Sequence, residues 1–158
     1  MPLFHIHGIS VNVLVTALSG SSVYATKGFT DGENFFRGLR LSPPPTWYSA
    51  VPTMHQEILN FAEEYQSQND GVAPKHHLQF ARNCSAALLP SVGERMERVL
   101  GIQVVCTYAM TESMPIASNQ RRGGAHKLRS VGFSGGPEIL VLRNPEYNKD
   151  LTICEPGE

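Results

Sequence analysis

Residues 90–113, PSVGERMERVLGIQVVCTYAMTES, contain an amphipathic helix, a strand and a polar segment in one continuous stretch. Pro90 and Ser91 open the helix, and its apolar positions recur at helical spacing at Val92, Met96, Val99 and Leu100. Gly101 ends the helix, because glycine readily adopts the left-handed conformation that follows a helix. Residues 103–107 read as a strand. A helix that leads directly into an apolar strand predicts a parallel strand–helix–strand unit.

The same alternation extends outward on both sides of this stretch. Toward the N-terminus we predict strands at 78–84, 46–51 and 22–26. The helices between and before them are predicted at 9–18, at 31–41 with Asp31 as N-cap, and after Thr53 as N-cap. Residues 67–77 read as a surface loop, and short strands are expected at 130–133 and 138–142. The predicted fold class is α/β: a mostly parallel sheet flanked by helices, with a more β-rich C-terminal tail.

Composition excludes several classes of protein. The chain has 158 residues with 13 Lys and Arg against 14 Asp and Glu, so a net charge of -1 excludes a strongly basic nucleic-acid-binding chain. No apolar run approaches the ~20 residues that span a bilayer. The three cysteines are odd in number and far apart, which indicates a reducing compartment rather than a disulfide framework: Cys84, Cys106 and Cys154.

Three polar or small-residue segments follow predicted strands, where parallel sheets place their binding loops. They are 52–55, 84–87 and 108–113. The third offers an aromatic face, a hydroxyl and a carboxylate within a few residues. Such a set can stack a planar base, bind a phosphate oxygen and hold a divalent cation. The alternative interpretation is a polar turn after a buried strand.

His5 and His7 form an H-x-H pair near the N-terminus. In an extended segment both rings would lie on one face and would suit two metal ligands, but no third or fourth ligand is evident. A histidine in the wall of a ligand pocket, or a partly buried histidine with its hydrogen bonds satisfied, is the competing interpretation. The sequence has no G-x-S-x-G elbow, no G-x-G-x-x-G motif and no Walker A loop.

Several strings resemble, in order and spacing, the motifs of one family. They are PLFHIHG at 2–8, TWYSAVPTMH at 46–55, CSAALLP at 84–90, YAMTE at 108–112, SVG at 130–132 and PGE at 156–158. Together they resemble the AMP-forming acyl-CoA synthetases, members of the adenylate-forming, AMP-binding superfamily. The first two strings most resemble its oxalate–CoA ligase-like branch. Ala109 and Leu88 depart from that pattern, since glycine and proline are usual there.

The resemblance implies a role for each matching residue. His5 would gate the acyl pocket beside the reacting carboxylate. Ser85, Ala86 and Ala87 would line the acyl and adenine sites, and Tyr108 and Ala109 would bind the adenine. Thr111 would contact a nucleotide phosphate, Glu112 would hold Mg²⁺, and Met110 would face the acyl group. These implied site residues are divided into catalytic (Glu112, Thr111, His5) and cofactor-binding (Ser85, Ala86, Ala87, Tyr108, Ala109, Met110).

The implied reaction converts a small-molecule carboxylate, ATP and CoA into acyl-CoA, AMP and pyrophosphate, with Mg²⁺ as metal. No nucleic acid and no membrane span are expected. Because the family's phosphate loop and C-terminal lid have no counterpart in the sequence, we expect residues 1–158 to be one fragment of an AMP-binding domain, inactive by itself. The alternative is a non-catalytic α/β binding or interaction module derived from such a domain. Exposed apolar faces would allow a homo-oligomer, and the expected location is intracellular, cytoplasmic or peroxisomal.

Overall fold

The computed structural model describes residues 1–121, 126–136, 138–139, 142–143 and 152–153. The N-terminal helix is π-helical over His7–Val15 and continues into one α-helical turn, α1 (Thr16–Leu18). Three further helices follow: α2 (Gly32–Gly38), α3 (Pro52–Gln68) and α4 (Pro90–Leu100). The strands are β1 (Trp47–Ala50), β2 (Phe80–Asn83), β3 (Gln103–Met110), β4 (Ser113–Ser118), β5 (Phe133–Ser134), β6 (Leu142–Arg143) and β7 (Thr152–Ile153).

Local chemistry at the helix ends explains where the helices begin and end. The Asp31 carboxylate accepts a 2.7 Å hydrogen bond from the Asn34 amide, which confirms the predicted N-cap of α2. Gly101 follows α4 with a φ of 65°, as predicted. The predicted cap of α3 is wrong: Pro52 is the first helical residue, and Val51 before it is extended. Proline disfavours helical backbone in the preceding residue, so the boundary falls at Val51 and not at Thr53.

The main sheet has the order β1-β2-β3-β4-β5. The pairings β1–β2 and β2–β3 are parallel, as predicted, whereas β3–β4 and β4–β5 are antiparallel. The α/β class and the β-rich tail are confirmed, but the sheet is mixed rather than mostly parallel. The cause is local: Met110 pairs with Ser113, so only Thr111 and Glu112 join β3 to β4, and a two-residue connection permits only antiparallel pairing.

The strand predicted at 22–26 is wrong. These residues form neither helix nor strand, and Val23 and Tyr24 are 43% and 41% exposed. Residues with high β-propensity form a strand only where they can pair with a neighbouring strand and pack one face against the core. Residues 22–26 pair with no strand of the described sheet. The predicted strand at 138–142 is described only in part, and residues 122–125 and 154–158 lie outside the described residues.

The hydrophobic core lies on one face of the sheet, beneath α2, α3 and α4. Its fully buried members include Ile58, Leu59, Met96, Ala81 and Val104. The N-terminal helix contacts β1 separately and lies beside Ser49, which points to the other face. Within the described ranges no helix is long and apolar enough to cross a membrane. The sheet edge where β2 and β3 end is left open between α4 and the segment that follows β4.

Candidate functional site

A cavity of about 610 Å³ lies at the carboxyl ends of β2 and β3. Its walls come from three separate parts of the chain: the loop after β2, the end of β3, and the segment before β5. The carboxyl edge of parallel strands is where open α/β sheets bind ligands. The fold therefore brings together two of the segments that the sequence nominated, 84–87 and 108–113.

The loop after β2 forms the first wall, and Ser85, Ala86 and Ala87 line it. Ser85 has a φ of 74°, a left-handed conformation that is uncommon for a residue other than glycine. Asn83 supports the loop, because its side-chain amide donates a 2.9 Å hydrogen bond to the Ala86 carbonyl. The small side chains of Ala86 and Ala87 leave the backbone open to a ligand.

The end of β3 forms the second wall. Tyr108 is 48% exposed, so its ring is accessible to a planar ligand, and Ala109 borders the same cavity. The pairing register between β3 and β4 shifts between Tyr108 and Met110. Such an irregularity interrupts the alternation of side chains between the two faces of a strand, so that consecutive residues can line one cavity. Thr107 anchors the wall, since its hydroxyl accepts a 3.0 Å hydrogen bond from Nε of Arg82. Burial lowers the pKa of the Arg82 guanidinium.

The third wall is the segment from Leu128 to Val131, which the sequence analysis included in part in a predicted short strand and a late family motif but not in the site. Asn119 holds this segment, because its amide donates to the Lys127 carbonyl at 3.0 Å and to the Ser130 carbonyl at 2.5 Å. His126 and Glu97 of α4 make a further contact of 2.8 Å between Nε2 and Oε1. The cavity wall is thus fastened both to the end of β4 and to α4.

His7 connects the N-terminal helix to this site. It is 1% exposed, and its Nε2 lies 2.5 Å from Oγ of Ser49, while its Nδ1 lies 3.0 Å from Oγ of Ser85. Burial, with a smaller contribution from the nearby Arg82 charge, lowers the pKa of His7 to about 4, so the ring is neutral at physiological pH. The competing interpretation of the H-x-H pair, a buried histidine with its hydrogen bonds satisfied, holds for His7, whereas the family resemblance implied a site role only for His5.

The structure separates His7 from His5. His5 is exposed, its Nδ1 accepts a 3.1 Å hydrogen bond from the His7 amide, and it does not line the cavity. The two rings diverge because the chain becomes helical here, and residues two apart on a helix do not share a face. The expectation that both rings lie on one face, which required an extended segment, does not apply to this backbone.

The cavity contains five of the predicted site residues and leaves four outside. Those that line it are Ser85, Ala86, Ala87, Tyr108 and Ala109. His5, Met110, Thr111 and Glu112 are exposed and are not among the lining residues. Thr111 and Glu112 form the turn between β3 and β4, directly beyond the wall that holds Tyr108. Their predicted contacts with phosphate and Mg²⁺ stay predictions.

The donor set fits a nucleotide better than an isolated metal ion. An accessible tyrosine ring suits a purine base, and the hydroxyls and amides of the small-residue loop suit polar ligand atoms. In the described part of the chain no group of three or more His, Cys, Asp or Glu side chains could hold a metal ion by itself. Mg²⁺, however, is commonly bound by one or two carboxylates together with phosphates, and Glu112 could be one such carboxylate.

Comparison with known proteins identifies the family to which the chain belongs. The model of the family described as AMP-binding enzyme matches residues 1–158, and the chain belongs to that family. It is 37% identical over 165 residues to probable CoA ligase CCL9 of Humulus lupulus, covering 99% of this chain and 30% of that protein. It is 36% identical over 164 residues to oxalate–CoA ligase of Arabidopsis thaliana, covering 99% and 31%. The chain thus spans less than a third of the length of these relatives.

Solved structures agree on the fold. A malonyl-CoA ligase in a ternary product complex with methylmalonyl-CoA and AMP superposes with a TM-score of 0.65 at 28% identity, over 85% of this chain and 28% of that one. An acyl-CoA synthetase from Brucella canis gives a TM-score of 0.78 at 19% identity, over 96% and 26%. The sheet and its helices therefore have the fold of the matching part of these two proteins.

Proposed function

We propose that the chain provides the adenine-binding and part of the acyl-binding wall of an ATP-dependent, AMP-forming CoA ligase. The whole reaction would convert a carboxylate, ATP and CoA into acyl-CoA, AMP and pyrophosphate. The observation that carries the proposal is the cavity in which the Ser85–Ala87 loop faces Tyr108, two segments separated by twenty residues of sequence. Membership of the AMP-binding family supports the choice of nucleotide.

In this proposal Tyr108 stacks on the adenine ring, and Ala86 and Ala87 allow the ligand to approach the backbone. Thr111 and Glu112, in the turn beyond Tyr108, approach the phosphates and Mg²⁺. Attack of a carboxylate on the α-phosphate brings anions together, so a cation and fixed hydrogen-bond donors are needed where charge accumulates. His5 and Met110 are proposed to face the acyl group, and CoA would attack the acyl adenylate. A location in the cytoplasm or a peroxisome, where ATP and CoA are both present, is part of the proposal.

Titration of the chain with AMP tests the nucleotide site directly. Because stacking on an aromatic side chain contributes about 1–3 kcal/mol per base, Tyr108→Ala should weaken AMP binding by roughly 5- to 150-fold. Phe133→Ala is the matched control, since Phe133 is an exposed aromatic residue, 56% accessible, that does not line the cavity. Calorimetry measures both. Equal affinity of the two variants for AMP would contradict the proposal.

The role of Glu112 is tested by the effect of Mg²⁺ on ATP binding. If the Glu112 carboxylate contacts Mg²⁺ held by the phosphates, Mg²⁺ should strengthen ATP binding by the unmodified chain. Glu112→Gln keeps the shape of the side chain and removes its charge, so this enhancement should fall by about two- to fivefold, the range of an exposed ion contact. Glu57→Gln, an exposed carboxylate on α3, should leave it unchanged. An undiminished Mg²⁺ effect in Glu112→Gln would remove Glu112 from the metal site.

A further inference from the structure

The buried hydroxyl of Ser49 determines how the His7 ring is protonated. Ser49 is 7% exposed, and in the described residues its hydroxyl has one hydrogen-bond partner, Nε2 of His7. If Nε2 carried the proton, the Ser49 hydroxyl would be buried with a hydrogen that no acceptor receives. A buried donor without an acceptor is costly, so Ser49 donates to Nε2 and the ring proton lies on Nδ1.

This tautomer sets the direction of the bond to Ser85. Nδ1 of His7 donates to Oγ of Ser85 across 3.0 Å, and the hydroxyl of Ser85 then directs its own hydrogen elsewhere. Ser85 is exposed and lines the cavity, and within the described ranges its side chain has no other partner. The Ser49–His7–Ser85 chain therefore leaves Ser85 as a hydrogen-bond donor toward the cavity.

The same geometry argues against a nucleophilic serine. Activation of a serine by histidine requires a ring that accepts the serine proton, and it is favoured by a neighbouring group that stabilises the resulting imidazolium. Here Nε2 faces a hydroxyl, Nδ1 donates rather than accepts, and the Arg82 charge opposes protonation of the ring. The chain of three side chains can orient a neutral donor but cannot generate an alkoxide.

We propose that His7 is a positioning residue that fixes the Ser85 hydroxyl as a donor to an anionic oxygen bound in the cavity. The proposal rests on the proposed function, because the anion would be a nucleotide phosphate or the carboxylate substrate. The inference adds His7, a residue of the N-terminal helix that acts on the ligand only through Ser85. The left-handed backbone of Ser85 supports this role, since the loop is held in an uncommon conformation at the point where the hydroxyl meets the cavity.

The ring tautomer gives the first test. Long-range proton–nitrogen spectra of the chain at pH 7 should show His7 as the Nδ1–H tautomer. Ser49→Ala removes the donor to Nε2 and should allow the Nε2–H tautomer to become populated. An Nε2–H tautomer in the unmodified chain would overturn the proposal, whatever the chain binds.

Binding of three probes, AMP, adenosine and oxalate, gives the second test. Ser85→Ala removes the hydroxyl donor while alanine has to adopt the same left-handed backbone. It should therefore weaken the binding of one anion by roughly ten- to a hundredfold, the range for a hydrogen bond to a charged group. Loss confined to AMP, with adenosine unchanged, assigns the oxygen to the phosphate. Loss confined to oxalate assigns it to a carboxylate. Ser91→Ala, an exposed serine of α4 outside the cavity, should change neither.

Two replacements of His7 separate positioning from general stability. His7→Asn places an amide donor near the Nδ1 position and should retain anion binding. His7→Gln extends its amide toward Ser49 and should lose anion binding as Ser85→Ala does, even where urea unfolding shows equal stability of the two variants. If neither Ser85→Ala nor His7→Gln weakens AMP or oxalate, the inference is wrong. If neither AMP nor adenosine binds the unmodified chain, the proposed function itself fails.

Discussion

At the scale of single residues, the buried histidines make the stability of the chain depend on pH. His7 and His55 are 1% and 0% exposed, and burial lowers the pKa of each to about 4. Nδ1 of His55 lies within hydrogen-bond distance, 3.1 Å, of the Tyr48 hydroxyl. In the unfolded chain both rings have an ordinary pKa of 6.5. Between about pH 4 and pH 6.5 the unfolded state therefore binds more protons than the native state.

We expect the free energy of unfolding to be highest above pH 6.5 and to fall as the pH is lowered toward 4. Each histidine contributes up to about 3 kcal/mol to this loss, since one pKa unit corresponds to about 1.4 kcal/mol. Urea unfolding at pH 7.5, 6, 5 and 4 measures the slope. His7→Asn should flatten it, whereas replacement of the exposed His77 by Gln should not. A slope that His7→Asn leaves unchanged would show that the pKa of His7 is the same in the native and the unfolded chain.

The same residues show where sequence reasoning succeeds and where it stops. Asp31 and Gly101 were assigned correctly because a cap depends on a few neighbouring residues. His7 was not separated from His5, because which ring is buried depends on whether the backbone is helical or extended. The segments at 84–87 and 108–113 were nominated separately, and residues of both line one cavity because parallel strands end at one edge of a sheet. The sequence analysis did not predict that residues 128–131 line the cavity, because tertiary hydrogen bonds from Asn119 place them there.

At the scale of elements, the packing of α2 on α3 depends on a glycine. A Cβ on Gly32 would lie 2.3 Å from Cβ of Phe61 and 3.0 Å from the Glu57 carbonyl oxygen. Such distances force the two helices apart, and Phe36 of α2, which stacks on Phe61 at 5.5 Å between ring centroids, would move with its helix. The close approach of these helices therefore requires glycine at position 32, which hydrophobic periodicity does not reveal.

Gly32→Ala should reduce the free energy of unfolding by about 1–3 kcal/mol, the usual cost of overpacking. Gly38→Ala, at the other end of the same helix, is the matched control, because a Cβ there meets nothing within 4 Å. It should leave stability unchanged or raise it by up to about 1 kcal/mol, since alanine favours helix over glycine. Thermal and urea unfolding measure both. Similar effects of the two variants would show that the contact with Phe61 does not limit the approach of α2 to α3.

At the scale of the whole molecule, nucleotide binding and catalysis of adenylate formation can be separated. The walls that would hold the base lie within the described residues, at the ends of β2 and β3. The 158-residue sequence has no Walker A loop and no G-x-G-x-x-G motif, and the chain matches less than a third of the length of the CoA ligases it resembles. Adenylate formation needs the carboxylate and the α-phosphate held in line, with fixed positive charge around the leaving pyrophosphate.

We therefore expect the 158-residue chain to bind AMP without catalysing adenylate formation. Exchange of labelled pyrophosphate into ATP, with oxalate or malonate as carboxylate, should not exceed the rate without protein, while calorimetry under the same conditions detects AMP. Tyr108→Ala supplies the control for the binding arm, because it should abolish most of the AMP signal and leave the exchange rate at background. Exchange above background that Tyr108→Ala removes would show that these 158 residues contain the complete catalytic apparatus. Binding would then no longer be separable from turnover, and the groups that hold the pyrophosphate would have to be found among the residues of this chain.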